Sequence, residues 1–366
     1  MSRAKFTNGI FSIILVTILF TFDSSGQDTH YTQFSNIPLY FNPAYTGVYT
    51  GARVRFNSRI QNTTTSRFNG YHLSADFGDR NLPGSGGFGV MVNTDDQGVR
   101  FIRNFDLGTS FAARVPFTRY LIGQVGIKAT WNQKIVSWDD FILSDKLTEA
   151  YGHLYDSCAG RHGKSSLNAA DFGIGGLVQF VGQGGSFSGT AGVAVDHLFE
   201  PDQSLIETVK APLARKYTVH ADFVFSVKCP TGLNAREDDP LKINPGIVIQ
   251  HQGNVNNYQV GLNLTNYGLY FGVWCNGTYG PVKSNSISLL GGYRYKVSET
   301  TSVKCTYSYD MQVYGPHKCD GGIHEISLVI EFGSLHIFRG SGNAYRNFSR
   351  KNSSNDGKNQ LAYASF

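Results

Sequence analysis

Through most of its length the chain alternates oily and wet residues two by two. From Arg215 to Val227, the residues Tyr217, Val219, Ala221, Phe223, Phe225 and Val227 fall on one side, and Thr218, His220, Asp222, Val224 and Ser226 on the other. A period of two is the signature of a β-strand, because successive side chains point to opposite faces. Leu121, Gly123, Val125, Ile127, Ala129 and Trp131 alternate in the same way with Ile122, Gln124, Gly126, Lys128 and Thr130. So do Val303, Cys305, Tyr307, Tyr309, Met311 and Val313 with Lys304, Thr306, Ser308, Asp310 and Gln312. In the last such segment, Gly322 to Phe332, the pattern puts Ile326, Leu328, Ile330 and Phe332 outward and Glu325, Ser327 and Glu331 inward.

Strands are predicted to begin near Arg53, Asn69, Gly86, Arg103, Arg119, Asp171, Ser186, Arg215, Leu241, Val255, Gly268, Asn285, Ser302 and Gly322. They are separated by Gly, Asn, Asp and Pro turns, and no linker divides the body. An even set of such strands can close on itself with an apolar outside and a polar lumen. The fold expected is all-β: a transmembrane antiparallel β-barrel of about 14 strands. A secreted β-sandwich would show the same alternation, but at this length it would break into two domains.

Ahead of the strands, Arg3 and Lys5 precede an uncharged stretch from Phe6 to Phe22, too short and too poorly flanked to span a bilayer stably. It reads as a signal peptide. Small residues Ser24 and Gly26 place cleavage before Gln27, and no cysteine follows that site to carry a lipid. The expected organisation is a leader over 1–26, an N-terminal arm or plug over 27–52, a barrel over 53–333 and a polar basic tail over 334–366.

Composition agrees with a barrel. Gly supplies 42 of 366 residues, Tyr 20 and Phe 26; glycine permits close strand approach and aromatics build interfacial girdles. The formal charge of +5 suggests nucleic acid until it is placed along the chain. Arg3 and Lys5 outnumber Asp23 in the leader, and Arg339, Arg346, Arg350, Lys351 and Lys358 outnumber Asp356 in the tail. The body between them is neutral, with no net charge to recruit a phosphate backbone.

Five cysteines, Cys158, Cys229, Cys275, Cys305 and Cys319, lack the paired spacing of a zinc or redox motif. Cys275 and Cys305 fall inside strands and read as small apolar fillers. Cys229 and Cys319 fall at strand ends, where a bridge between them is one option. The longest irregular stretch, Ser137 to Ala170, holds His153, Cys158 and His162, whose spacing matches no closed zinc pattern. Leu143 to Tyr155 could form one short helix within it.

No GxSxG elbow or HExxH helix occurs, and His324 and Glu325 are strand neighbours that must face opposite ways. The sequence offers no catalytic residue, no cofactor site and no metal site.

Several ordered blocks carry a family resemblance. Thr32-Gln33-Phe34 and Pro38-Leu39-Tyr40-Phe41-Asn42-Pro43-Ala44-Tyr45-Thr46-Gly47 open it, and Arg53 to Gln61 follows as a first strand. Val195 to Ser204, Ala214 to Tyr217, Ile243 to Gly246 through Gln252-Gly253, Tyr307 to Asp310 and Gly322 to Leu328 complete it. Together these resemble the PorP/SprF family of outer-membrane proteins, associated with the type IX secretion and gliding machinery of Bacteroidetes. The resemblance implies a non-enzymatic barrel in outer-membrane lipid. It also implies coupling of an exported surface adhesin or gliding-motility protein to the cell surface, and contact with periplasmic or lipoprotein components of the secretion apparatus. The tail after Phe332 extends past the family's usual closing strand.

The opening motif has its own physical reading. Pro38 and Pro43 stiffen the backbone and remove donors, while Leu39, Tyr40, Phe41 and Tyr45 make an apolar surface too irregular for a lipid-facing strand. Gln27 to Val48 is expected to pack into or beneath the barrel as a plug or partner contact, with Pro38, Leu39, Tyr40, Phe41, Asn42, Pro43 and Tyr45 as the candidate contact residues. The competing readings are a diffusion channel for small or hydrophobic solutes and a soluble carbohydrate-binding adhesin.

Overall fold

The computed structural model describes residues 28–62, 67–79, 86–98, 102–118, 120–137, 147–148, 152–153, 165–182, 186–205, 210–227, 240–280, 283–315 and 322–333. Its strands are β1 (Gly51–Asn62), β2 (Arg67–Gly78), β3 (Gly87–Gln97), β4 (Ile102–Pro116), β5 (Leu121–Val136), β6 (Leu147–Thr148), β7 (Gly152–His153), β8 (Ser166–Val181) and β9 (Phe187–Asp196). They continue as β10 (Lys216–Val227), β11 (Leu241–Gln252), β12 (Val255–Asn266), β13 (Leu269–Tyr279), β14 (Ser284–Lys296), β15 (Thr301–Tyr314) and β16 (Ile323–Gly333). All but β6 and β7 form one closed antiparallel barrel, each strand beside its neighbour in sequence and β16 sealing onto β1. Closure leaves no backbone edge exposed to lipid, where unpaired N–H and C=O groups are costly.

The two faces separate as the alternation requires. Along β10, Tyr217, Val219, Phe225 and Val227 are exposed, while Thr218, His220 and Asp222 are buried. Along β16, Ile326 and Leu328 point out, and Glu325, Ser327 and Glu331 point in. His324 lies on the outer face, bonded to Tyr307 Oη at 2.7 Å, so it shares no face with Glu325.

Each barrel strand starts within about five residues of its expected position, the largest offset being β8, which begins at Ser166 rather than Asp171. Two expectations fail. Where one helix was expected between Leu143 and Tyr155, Leu147 pairs with His153 and Thr148 with Gly152 in the two-residue strands β6 and β7; glycine is a poor helix former. Cys275 and Cys305 lie in strands but are exposed on the outer face, so they fill no core. Cys158, Cys229, Cys319, His162, the leader 1–26 and the tail 334–366 lie outside the described residues. Val227 and Tyr314, the last residues of the strands preceding Cys229 and Cys319, end at opposite rims.

The barrel has a near rim, where Gly51 pairs with Gly333 and Gly78, and a far rim, where Asp196 pairs with Lys216. One hydrophobic cluster comes largely from outside the strands. Its members are Tyr31, Phe34, Ile37, Leu39, Tyr40, Phe41, Ala44, Tyr45 and Val48 from the N-terminal arm, with Leu177 and Val248 from the wall.

Candidate functional site

The arm, residues 28–50, descends inside the lumen from the far rim to the near rim before the chain enters β1. Its local structure follows from its prolines. Pro38 opens a single helical turn, Pro38–Phe41, and Pro43 opens a 3-10 turn, Pro43–Tyr45. Proline suits a first helical position, where its missing N–H would have no partner. Between the turns Asn42 acts as a cap, its side chain accepting from the Ala44 N–H at 2.8 Å. Folded this way the arm brings its rings together: Phe34 meets Phe41 edge-on at 5.0 Å and Tyr31 meets Tyr40 at 5.0 Å.

Every candidate contact residue is inside the barrel. Pro38, Leu39, Tyr40, Phe41, Asn42, Pro43 and Tyr45 are all buried, with Phe41 and Asn42 at 0% exposure. The structure brings them together as one plug surface facing the wall.

Polar wall residues hold this plug at four levels. Farthest from the near rim, Asp28 accepts from Lys216 Nζ and His197 Nε2 (2.9 Å), and its N–H donates to Gln252 Oε1 at 3.2 Å. The other ring nitrogen of His197 meets Asp171 at 2.6 Å. Burial opposes charge on Asp28, but His197 and Lys216 outweigh it and hold the carboxyl well below the usual range. Burial likewise opposes charge on His197, yet Asp28 and Asp171 push that ring up to about 9. His30 has no such partner; burial, then Arg59 and Lys216, push it down to about 3.

One level down, Glu325 grips the arm's backbone. Its two oxygens accept the N–H groups of Thr32 (3.0 Å) and Gln33 (3.1 Å). Asn57 donates to the same carboxylate at 2.8 Å, and Arg59 pairs with both Glu325 and Asp310 at 3.4 Å. Thr32 Oγ1 donates to Asp310 at 2.6 Å. These contacts come from β1, β15 and β16, so the arm is fastened across the seam where the barrel closes.

In the middle of the lumen, Asn42 Nδ2 donates to the carbonyls of Gly176 (3.1 Å) and Val193 (3.2 Å) and contacts His220 Nε2 at 3.0 Å. Tyr45 Oη reaches His220 and Asp222; burial first, and Asp222 second, raise that phenol well above its ordinary range. The wall here is cut back by glycine. Gly126 and Gly175 are registered partners on β5 and β8, and a β-carbon on Gly126 would lie 2.5 Å from Ala44 N and Pro43 O.

At the near rim, Asp76 accepts the Gly47 N–H at 3.0 Å while paired with Arg53 (3.2 Å) and Arg55 (2.6 Å). Gln124 and Arg114 donate to the carbonyls of Thr46 (2.6 Å) and Val48 (2.7 Å). Gly47, at φ +67, turns against Gly78, where a β-carbon would stand 2.8 Å from the Gly47 Cα.

Among the described residues, cavities of about 150 Å³ and about 310 Å³ lie on the far side of the plug. Asp95, Asp106, Asn132 and Lys134 line the first, Asn257, Asn276 and Gln312 the second, and Asp28 lines both. Among the described residues no group of His, Cys, Asp and Glu could hold a metal ion.

Sequence reasoning placed Glu325, Asp222 and His220 on the inward face but did not pair them with the arm, and it did not single out Asp28 or Asp76. A signal was present in the chain: the ordered blocks Val195 to Ser204, Ala214 to Tyr217, Tyr307 to Asp310 and Gly322 to Leu328 contain His197, Lys216, Ser308, Asp310 and Glu325. All five bond to the arm.

The profile of one protein family, described as "Type IX secretion system membrane protein PorP/SprF", matches residues 23–330. No curated protein matches the chain in sequence. Among solved structures, the TodX deltaS2S3 mutant monoaromatic hydrocarbon channel aligns with TM-score 0.47 and 10% identity over 81% of this chain and 94% of its own. The Ralstonia pickettii toluene transporter TbuX aligns with TM-score 0.45 and 13% identity over 81% and 94%. CdiB from Acinetobacter baumannii aligns with TM-score 0.42 and 6% identity over 77% of this chain, which spans 60% of CdiB.

Proposed function

Because the chain belongs to the PorP/SprF family of type IX secretion system membrane proteins, we propose that it holds an exported adhesin or gliding-motility protein at the cell surface and contacts periplasmic or lipoprotein parts of the secretion apparatus. The family is a secretion-system membrane family and not an enzyme family, and the barrel resides in the outer membrane.

The observation that carries the anchoring reading is the filled lumen. A diffusion channel needs a continuous aqueous path, whereas here an apolar cluster at near-zero exposure occupies the middle of the barrel and bonds to the wall around it. The longest connections, 137–165 and 197–215, leave the far rim. Outer-membrane barrels carry their longer loops outside and short turns toward the periplasm; on that rule the far rim meets the exterior, and the near rim, with Gly51 and Gly333, meets the periplasm. In this reading residues 27–52 act as a plug and 53–333 as its housing. Pro38, Leu39, Tyr40, Phe41, Asn42, Pro43 and Tyr45 then meet a partner only when the arm shifts or a partner segment enters the lumen.

Affinity purification from detergent-solubilised outer membranes tests the proposal. Recovery of an exported surface protein with secretion components supports it. A barrel recovered alone after in-cell cross-linking, with surface retention intact in its absence, overturns it. Deleting Tyr31 to Tyr45 tests the arm's share: unchanged partner export and surface retention would remove the arm from the contact.

A further inference from the structure

The far end of the arm sits in a receptor for a negative charge, and the present occupant is the chain's own Asp28. Lys216 Nζ and His197 Nε2 converge on one oxygen of that carboxylate, with Gln252 Nε2 at 3.5 Å from the other. The receptor is built where two paired strands end. Lys216 opens β10, in register with Asp196 at the end of β9, and its ammonium lies over the Tyr40 ring at 4.7 Å. His197 follows β9 directly and is oriented by Asp171 on its second ring nitrogen.

Exposure separates receptor from occupant. The side chains of His197 and Lys216 are 8% and 6% exposed, whereas that of Asp28 is 21% exposed. Asp28 also borders both far-side cavities. The occupant is therefore the part that can leave, and the space to receive another group lies beside it.

Charge points the same way. The groups facing one another here are Asp28 on the arm, Asp106, Asp171 and Asp196 on the wall, and Lys128, His197 and Lys216. Asp171 is engaged by His197 and Asp196 by Lys128 at 2.6 Å. Without Asp28, the nearest carboxylate left to Lys216 among the described residues is Asp196 at 3.8 Å, with Asp106 acting from farther off. A buried cation left short of its anion is unfavourable, so the emptied site favours another carboxylate.

We propose that Lys216, His197 and Gln252 form a carboxylate-binding site, occupied by Asp28 when the arm is docked, that accepts a carboxylate of an incoming polypeptide through the far mouth. The ligand is an acidic side chain or a C-terminus, and Asp28 moves into the adjoining cavity as it binds. The site is a property of the isolated barrel and stands whether or not the secretion reading does.

The test uses the full-length barrel purified in detergent, as wild type and as Asp28→Asn and Asp28→Ala, with thermal unfolding followed against sodium acetate or sodium chloride at equal ionic strength. A tethered group competes at an effective concentration in the millimolar range. Acetate should therefore raise the melting temperature of D28A at concentrations at least about tenfold lower than in wild type. That response should vanish in the double variant D28A/K216Q. The peptide Gly-Ser-Gly-Glu with a free C-terminus should reproduce the acetate effect, and its amidated Gln counterpart should not. Equal responses to acetate and chloride in both Asp28 variants would overturn the site. A response to acetate but not to the acidic peptide would overturn the polypeptide ligand. Should D28A fail to fold, D28N, which keeps the shape and removes the charge, carries the same comparison.

Discussion

Gln33 and Glu325 stand 292 positions apart in sequence and are joined twice: the Gln33 N–H donates to Glu325 Oε1 at 3.1 Å, and Gln33 Nε2 donates to the Glu325 carbonyl at 2.9 Å. One links arm to side chain, the other arm to the backbone of the closing strand. Since Arg59 and Asn57 of β1 reach the same carboxylate, Glu325 ties together the arm and both strands of the seam.

Replacing Glu325 with Ala should therefore do more than weaken one contact. It leaves the Thr32 and Gln33 N–H groups buried without acceptors and leaves Arg59 with its ion pair to Asp310 and its bond to Thr32 Oγ1. Groups of this kind cost about 3–5 kcal/mol when one partner is removed. The measurement is urea unfolding in lipid vesicles, alongside limited proteolysis. Residues near Thr32 should become protease-sensitive while the Asp76 contact holds the near-rim end.

Gly126 should tolerate no side chain without moving the arm. Gly126→Val places its β-carbon 2.5 Å from backbone atoms of Pro43 and Ala44, which cannot rotate away. An overpacked contact of this sort costs about 1–3 kcal/mol. Gly176→Ala is the control, because its β-carbon would meet only the Gln124 carbonyl, at 4.0 Å, and should fall within about 0.5 kcal/mol of wild type. Hydrogen exchange at Asn42 to Tyr45 distinguishes the two.

The far-rim latch should loosen in alkali. His197 is raised from 6.5 to about 9, so its share is fully present below pH 6.5 and is lost as pH rises through about 9. Asp28 is held below 3.8, so its share is present above pH 3.8 and is lost only as pH falls through that depressed value. Asp171 and Lys216 face the same ring and remain in place. Proteolysis at Asp28 to Tyr31 should be slow at pH 6 and faster at pH 10, and His197→Gln should flatten the difference.

The wall was legible in the sequence because alternation is local. In β16 a period of two puts Glu325 inside and Ile326 outside with no knowledge of any neighbour. The arm was legible as something other than a strand, from Pro38, Pro43 and the unpatterned ring between them. Its docking was not, since Asn42 meets His220 from 178 positions away and Asp28 meets Lys216 from 188. No periodicity carries information over such distances. Cys275 and Cys305 show the converse limit: apolar character placed them in strands, but only the barrel's inversion, with its oily face outward, decides that they point to lipid.

Planar-bilayer conductance of the intact barrel beside a form lacking residues 28–48 tests most directly whether the arm makes this protein an anchor and not a pore. The intact barrel should be silent and should carry sustained currents once the arm is removed; robust, solute-dependent currents from the intact protein would contradict the plugged lumen.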